Sequence, residues 1–331
     1  MTKHSSRTPR FDSIFPCLSL ALVLIMLPGM ALPQAASAGQ NRSGEAGRIR
    51  VNANLVVLHA TVKDRRGMVV SGLNKDSFQV YEDGVLQQIK YFSREDIPVT
   101  VGLVIDNSGS MRKKRAEVIA AALAFARSSN PQDQMFVVNF TEHVRFALPA
   151  EEPFTGQVSQ LEDALSKIIT SGRTALYDAV SAAAEHLKKS DRDKQVLIVI
   201  SDGGDNASKH SFAETMAMVQ HADAIVYTIG LFDEEDDDRN LKVLKQLAKN
   251  TGGDAFLPHT LKEAVPICDK IARDIRNQYT IAYIPSNRNR DGTYRVIRVR
   301  ASAPGERDLL VRTRAGYQAS LGPRSVPAQK N

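Results

Sequence analysis

Three features of the sequence predict an α/β fold with a mostly parallel sheet wrapped by helices, flanked by a small β-sandwich. Apolar runs such as Val99 to Ile105 and Val196 to Ile200 are continuous rather than alternating, as in strands buried on both faces. Segments with apolar residues at helical spacing lie between such runs, for example Val118, Ile119, Ala122, Leu123 and Ala126. Short β-prone stretches separated by turn residues occupy both flanks. With 43% hydrophobic residues in 331, the chain has material for a sizeable core, and global disorder is excluded.

Taken in order, Arg50 to Lys63, Met68 to Val70, Phe78 to Tyr81 and Gln88 to Phe92 read as strands, with turns at Asp64-Arg65-Arg66-Gly67 and Glu82-Asp83-Gly84. The α/β alternation follows. Strands are expected at Val99 to Ile105, Met135 to Val138, Val196 to Ile200, Ile225 to Ile229 and Asp254 to Leu257. Helices are expected after Arg112 and near 157–169, 174–189, 211–222, 240–250 and 261–277. Tyr279 to Ile284, Tyr294 to Val299 and Asp308 to Arg314 return to β structure. The expected organisation is an N-terminal β segment over 49–97, an α/β domain over 98–277, a C-terminal β segment over 278–318 and a disordered tail over 319–331. The two β segments are each too short to be stable alone, so they are expected to pair into one sandwich with the α/β domain inserted between them.

Residues 1–38 read as a signal peptide rather than as fold. Lys3, Arg7 and Arg10 precede an apolar run from Cys17 to Leu27, and Ala36-Ser37-Ala38 offers a cleavage site after Ala38. The run is about eleven residues, against the roughly twenty that an uncleaved anchor requires. The mature chain is therefore expected to be secreted, periplasmic or extracellular, without stable membrane insertion. Residues 39–48, polar and Gly-rich, read as a linker. Cleavage removes three basic residues and one acidic one, which lowers the formal charge from +6 to +4. Of two cysteines, Cys17 lies in the leader, and Cys268 sits among Ile267 and Ile271 as a small buried hydrophobe, so no disulfide supports the fold. The basic residues between Arg288 and Arg324 form a stripe that could touch an anionic surface. The alternation of Arg295, Arg298 and Arg300 with apolar neighbours instead reads as the solvated face of a strand. Tryptophan is absent and aromatic residues are few, which disfavours a stacking platform for nucleic acid.

Ligands of open α/β sheets bind beyond the carboxyl ends of the strands. Three oxygen-rich segments should meet there: Asp106-Asn107-Ser108-Gly109-Ser110, Gly172-Arg173-Thr174 and Ser201-Asp202-Gly203-Gly204. Hard divalent cations take oxygen ligands, and Mg²⁺ keeps several waters in an octahedral shell. Two serine hydroxyls one residue apart, with Gly109 allowing a tight turn, can share one ion with the Thr174 hydroxyl, while Asp106 and Asp202 supply negative charge. The plainer reading makes Ser108, Ser110 and Thr174 ordinary helix caps.

In these residues the sequence resembles the von Willebrand factor type A family. The D-x-S-x-S pattern, the distant threonine and the distant aspartate match its metal-ion-dependent adhesion site as Asp106, Ser108, Ser110, Thr174 and Asp202. The resemblance implies a Rossmann-like, doubly wound fold and a bound Mg²⁺ (or Mn²⁺ or Ca²⁺). It places Ser108, Ser110 and Thr174 on the metal, with the aspartates acting mainly through water. It also implies a protein partner that offers an acidic residue to the ion. Leu73-Asn74-Lys75-Asp76-Ser77-Phe78, Tyr81-Glu82-Asp83-Gly84, Thr251-Gly252-Gly253 and Arg314-Ala315-Gly316-Tyr317 are similar to a bacterial exported "VWFA-related" subfamily.

Other chemistry finds less support. The run Asp233 to Asp238 offers six carboxylates that could take a second cation such as Ca²⁺, but it lacks EF-hand spacing and reads as a solvated loop. The histidines form no metal-binding spacing. No G-x-S-x-G elbow, phosphate-binding glycine loop or dinucleotide fingerprint is present. The expected function is an exported, divalent-metal-dependent adhesion or protein-binding module, not an enzyme. Two readings stay open beside it: a metal-dependent hydrolase, for which no general base is evident, and a structural protein whose metal stabilises the fold.

Overall fold

The computed structural model describes residues 55–166, 172–232, 240–304 and 309–321. The expected signal peptide, the linker, the acidic run 233–238 and the tail from residue 322 lie outside these residues. The strands are β1 (Val56–Lys63), β2 (Phe78–Glu82), β3 (Val85–Gln87), β4 (Ile89–Ser93), β5 (Thr100–Asp106), β6 (Gln134–Phe140), β7 (Val144–Phe146), β8 (Gln195–Ser201), β9 (Ile225–Gly230), β10 (Ala255–Phe256), β11 (Tyr279–Tyr283), β12 (Tyr294–Ala301), β13 (Leu310–Arg312) and β14 (Gly316–Gln318). The helices are α1 (Arg115–Ser128), α2 (Val158–Ser166), α3 (Leu176–Leu187), α4 (Phe212–His221), α5 (Leu241–Thr251) and α6 (Ala264–Arg276).

The central sheet has the order β10-β9-β8-β5-β6-β7 and is parallel except for β7. Every residue of β5 is buried. The strand period of two explains why the apolar runs are continuous. In β8, Val196, Ile198 and Ile200 pack on one side with α1, α2 and α6. Leu197 and Val199 pack on the other side with α3, α4 and α5. A Cβ at Gly102 in β5 would run into Phe136 and Leu197, so glycine is what lets these large neighbours close over the strand. Helix ends are set locally. The Ser211 and Glu214 side chains form a reciprocal capping box at the start of α4. Asn240 caps α5, which stops at Gly252 in the left-handed region.

The flanking segments build two further sheets, β13-β1-β11-β4 and β14-β12-β2-β3, each combining strands from both ends of the chain. Their shared core holds Leu58, Ala60 and Val62 of β1, Phe78 and Val80 of β2, Tyr279 and Ile281 of β11, and Ile297 of β12. Asp83 and Gly84 both have positive φ, 48° and 84°, which gives the β2–β3 hairpin the primed turn that matches strand twist.

Arg295 corrects the expectation from sequence. It lies on the inner face of β12 and is 2% exposed, whereas Val296 faces solvent at 45%. The reason is Glu82, buried on the neighbouring strand β2 of the same sheet. The Arg295 guanidinium pairs with Glu82 Oε1 at 3.2 Å and donates to Asn289 O at 2.6 Å. Tyr283 and Tyr317 hydroxyls donate to Glu82 Oε2 at 2.7 and 3.0 Å. Met68 to Val70 likewise shortens to a single bridge between Lys63 and Val69.

A second buried ionic group ties β1 to the α/β part. Lys63 Nζ lies 2.9 Å from Asp274 of α6 and 3.1 Å from Asp254, which also pairs with Arg312. Removing one member of a buried pair leaves an uncompensated charge. Lys63→Met is therefore expected to lower unfolding free energy by about 3–5 kcal/mol in urea titration. The exposed control Lys249→Met should stay within about 0.5 kcal/mol of the native chain. A loss for Lys63→Met as small as that of the control would contradict the assignment.

Candidate functional site

β5 and β8 are neighbours in the sheet and end together, at Asp106 and Ser201. Strands filled with apolar side chains on both faces can carry polar side chains without penalty only where they end. The three segments expected from sequence meet at this edge. Ser108 N donates to Asp106 Oδ1 at 2.9 Å, and Ser201 Oγ donates to Asp106 Oδ2 at 2.6 Å. Ser108 Oγ and Ser110 Oγ are 3.1 Å apart. The Ser110 hydroxyl donates to Asp202 Oδ2, which joins the first loop to the end of β8, and Gly204 N donates to Asp202 Oδ1 at 3.1 Å. Gly109 N donates to Gly172 O at 3.3 Å, which brings in the loop that carries Thr174.

Thr174 is held from both sides of its peptide. Its N–H donates to Asn206 Oδ1 at 2.9 Å, and its carbonyl accepts from Asn206 N at 2.9 Å and Ala207 N at 3.0 Å. Asn206 belongs to the loop after Asp202, so one side chain fixes the geometry of two of the three segments. That loop is stitched to the start of α3: Tyr177 N donates to Asp205 Oδ2 at 2.8 Å, and Asp178 Oδ1 accepts from His210 N at 2.9 Å. Neither Asn206 nor the support of Asp106 by Ser201 was foreseen. The signal for Asn206 is its place four residues after Asp202, but its partner can be known only from the fold.

The capping alternative does not hold. Ser108 precedes a 3₁₀ turn over Gly109–Lys114 and makes no side-chain cap bond. The N-cap position of α3 is Ala175, again without a side-chain cap bond. The Thr174 hydroxyl, in a residue only 6% exposed, takes no partner among the described residues. Burial first, and then the neighbouring Asp202 carboxylate, push the Asp106 carboxyl up to about 6. The Ser108 and Ser110 hydroxyls beside two buried carboxylates, with the loop that carries Thr174 tied to the same edge, fit a hard divalent cation in donor type and in charge. Among the described residues no three His, Cys, Asp or Glu side chains cluster as metal ligands, so such an ion would depend on the hydroxyls.

The remaining sequence candidates resolve without chemistry. Ser201 is fully buried and committed to Asp106. His186 stacks among Phe136, Phe146 and Phe154. Cys268 is buried in α6, and burial pushes its thiol up to about 12. The reactive thiolate is therefore scarce at neutral pH. At pH 8, Cys268 should resist alkylation in the native chain and react fully in denaturant, as read by peptide mass spectrometry. Rapid native labelling would contradict its placement.

Residues 101–204, which include all five site positions, match the family model of the von Willebrand factor type A domain. No curated protein matches the chain. Among solved structures, a von Willebrand factor type A protein from Catenulispora acidiphila is 13% identical, with 82% of this chain and 74% of that chain covered and a TM-score of 0.49. The conserved hypothetical protein BatB from Bacteroides thetaiotaomicron is 17% identical over 53% of this chain and 98% of its own, with a TM-score of 0.42. The vWF domain of the type V pili tip protein Mfa5 from Porphyromonas gingivalis is 14% identical over 54% of this chain and 95% of its own, with a TM-score of 0.44. Residues 101–204, which carry β5 to β8 and the loops at their carboxyl edge, are thus similar to the von Willebrand factor type A domain.

Proposed function

We propose that the chain is an exported protein-binding module that takes its partner through a divalent cation, Mg²⁺ or Mn²⁺, with Ca²⁺ as a further hard-oxygen candidate. Ser108, Ser110 and Thr174 would hold the ion, with Asp106 and Asp202 behind them. The observation that supports this reading is the meeting of three oxygen-rich loops at one edge of the sheet, linked by the Ser110–Asp202, Ser108–Ser110 and Gly109–Gly172 hydrogen bonds. When bound, the ion would supply a Lewis-acid position open to a carboxylate from the partner. Asp106 and Asp202 already accept hydrogen bonds at both carboxylate oxygens, from Ser108, Ser201, Ser110 and Gly204. Their suggested part is therefore to orient the hydroxyls and to balance charge. Export rests on the leader-like residues 1–38. We read the site as non-catalytic because Ser201 is tied to Asp106, and among the described residues no histidine side chain bonds to any of the five positions.

Two measurements test this. Isothermal titration with MnCl₂ should show one site, and Thr174→Ala or Ser110→Ala should abolish it. Asn206→Ala, which leaves all five donors in place, should weaken it about 10–100-fold, as loss of a partner that orients a ligand does. In pull-downs from secreted or envelope fractions with Mg²⁺ or Mn²⁺, the partner should be lost on adding chelator and with Asp106→Ala or Thr174→Ala. A partner retained under all three treatments would overturn the metal-dependent reading.

A further inference from the structure

A second feature lies at the opposite end of the central sheet. A cleft of about 990 Å³ is walled by the end of α4, by the loop after β11 and by β14 with the residues that follow it. Gln220, His221 and Asp223 place it at the amino end of β9, which runs parallel to β5 and β8, so it is remote from Asp106 and Asp202.

Two properties of this wall point to one kind of ligand. First, β14 is an edge strand that pairs with β12 alone among the described residues. Ile297 N donates to Ala315 O at 2.8 Å and Ala319 N donates to Thr293 O at 2.9 Å. In an antiparallel ladder the pairing residues alternate, so the N–H and C=O groups of Gly316 and Gln318 face away from β12. Gln318 lines the cleft, and Gly316 lines a narrow continuation that shares Gln220, Asp223 and Arg314 with it. Gly316 is buried where α4 packs against β14, so the open part of the edge is at exposed Gln318, and an open strand edge is a template for an added strand. Second, Arg288, Arg290, Arg295, Arg314 and His221 line the cleft against a single carboxylate, Asp223. Arg295 is committed to Glu82 and Arg314 to Asp223. Arg288 is exposed and has no ion-pair partner among the described residues.

The chain's own ends do not complement this charge. The residues before Leu55 carry Lys3, Arg7, Arg10, Arg42, Arg48 and Arg50 against Asp12 and Glu45, and residues 322–331 carry Arg324 and Lys330 with no acid. We propose that the cleft binds an extended acidic peptide of a second protein, which adds as a strand to the free edge of β14 and sets its carboxylates against Arg288 and the other basic groups of the wall. The peptide backbone would satisfy the outward groups of Gln318, which is exposed in the cleft, and alternate side chains would face the charged wall.

The test is fluorescence anisotropy on the full chain with a labelled decapeptide of alternating glutamate and valine. The peptide should bind, and the same peptide with lysine in place of glutamate should not. Arg288→Glu, at an exposed and unpaired position, should weaken binding about tenfold or more, with a reduced salt dependence. Gln318→Pro removes one outward N–H and leaves the ladder to β12 intact, and it should weaken binding as well. Chelator and Asp106→Ala should leave the affinity unchanged, which separates this site from the proposed metal site. Equal binding of the lysine peptide, an affinity that survives either substitution in a folded variant, or preference for an oligogalacturonate over the peptide would overturn the proposal.

Discussion

The structure depends on a sheet whose central strands are buried on both faces. β5 contributes seven buried residues, and β8 alternates its apolar side chains between two helical layers. Such strands admit few polar side chains away from their ends, because an unpaired polar group inside would cost about 2–7 kcal/mol by transfer from water, and Thr228 in the middle of β9 is accommodated by donating to Leu244 O at 3.2 Å. Asp106, Ser201 and Asp202 are the first positions where that restriction lifts. The parallel register of β5 and β8 then sets them side by side, and two carboxylates meet in a poorly solvated place. Loops rich in serine, threonine and glycine gather around them because their hydroxyls and peptide N–H groups can satisfy those charges.

The β-sandwich is held to this sheet by polar interactions that are themselves buried. Lys63 reaches from β1 to Asp274 of α6 and to Asp254, and Gln278 bridges Thr61 and Tyr227. Inside the sandwich, Glu82 gathers Arg295, Tyr283 and Tyr317. Each group would be costly unpaired, so the networks specify one arrangement of the two ends of the chain more than they add net stability. That arrangement also leaves β14 as an edge strand beside α4, and so creates the basic cleft.

Much of this was legible in the sequence, for physical reasons. Continuous apolar runs announce two-faced burial, and Asp106, Ser108 and Ser110 are close enough in sequence to be read as one loop. Thr174 and Asp202 could be placed because each follows or precedes an element with strong periodicity. Arg295 was misplaced because alternation separates two faces of a strand without saying which one is inside. The deciding partner, Glu82, is 213 residues away in sequence. β3, β7 and β14 have three residues each, too few to carry a period. The role of Asn206 as a clamp on Thr174 required knowing how two distant loops pack.

The central claim is that the edge formed by β5 and β8 is built for a divalent cation. Anomalous diffraction from crystals of the chain grown with MnCl₂ tests it directly. The account predicts one strong manganese peak within coordination distance of the Ser108, Ser110 and Thr174 hydroxyls, with Asp106 and Asp202 behind them. An ordered site without a manganese peak, or a peak bound by other residues in its place, would contradict it.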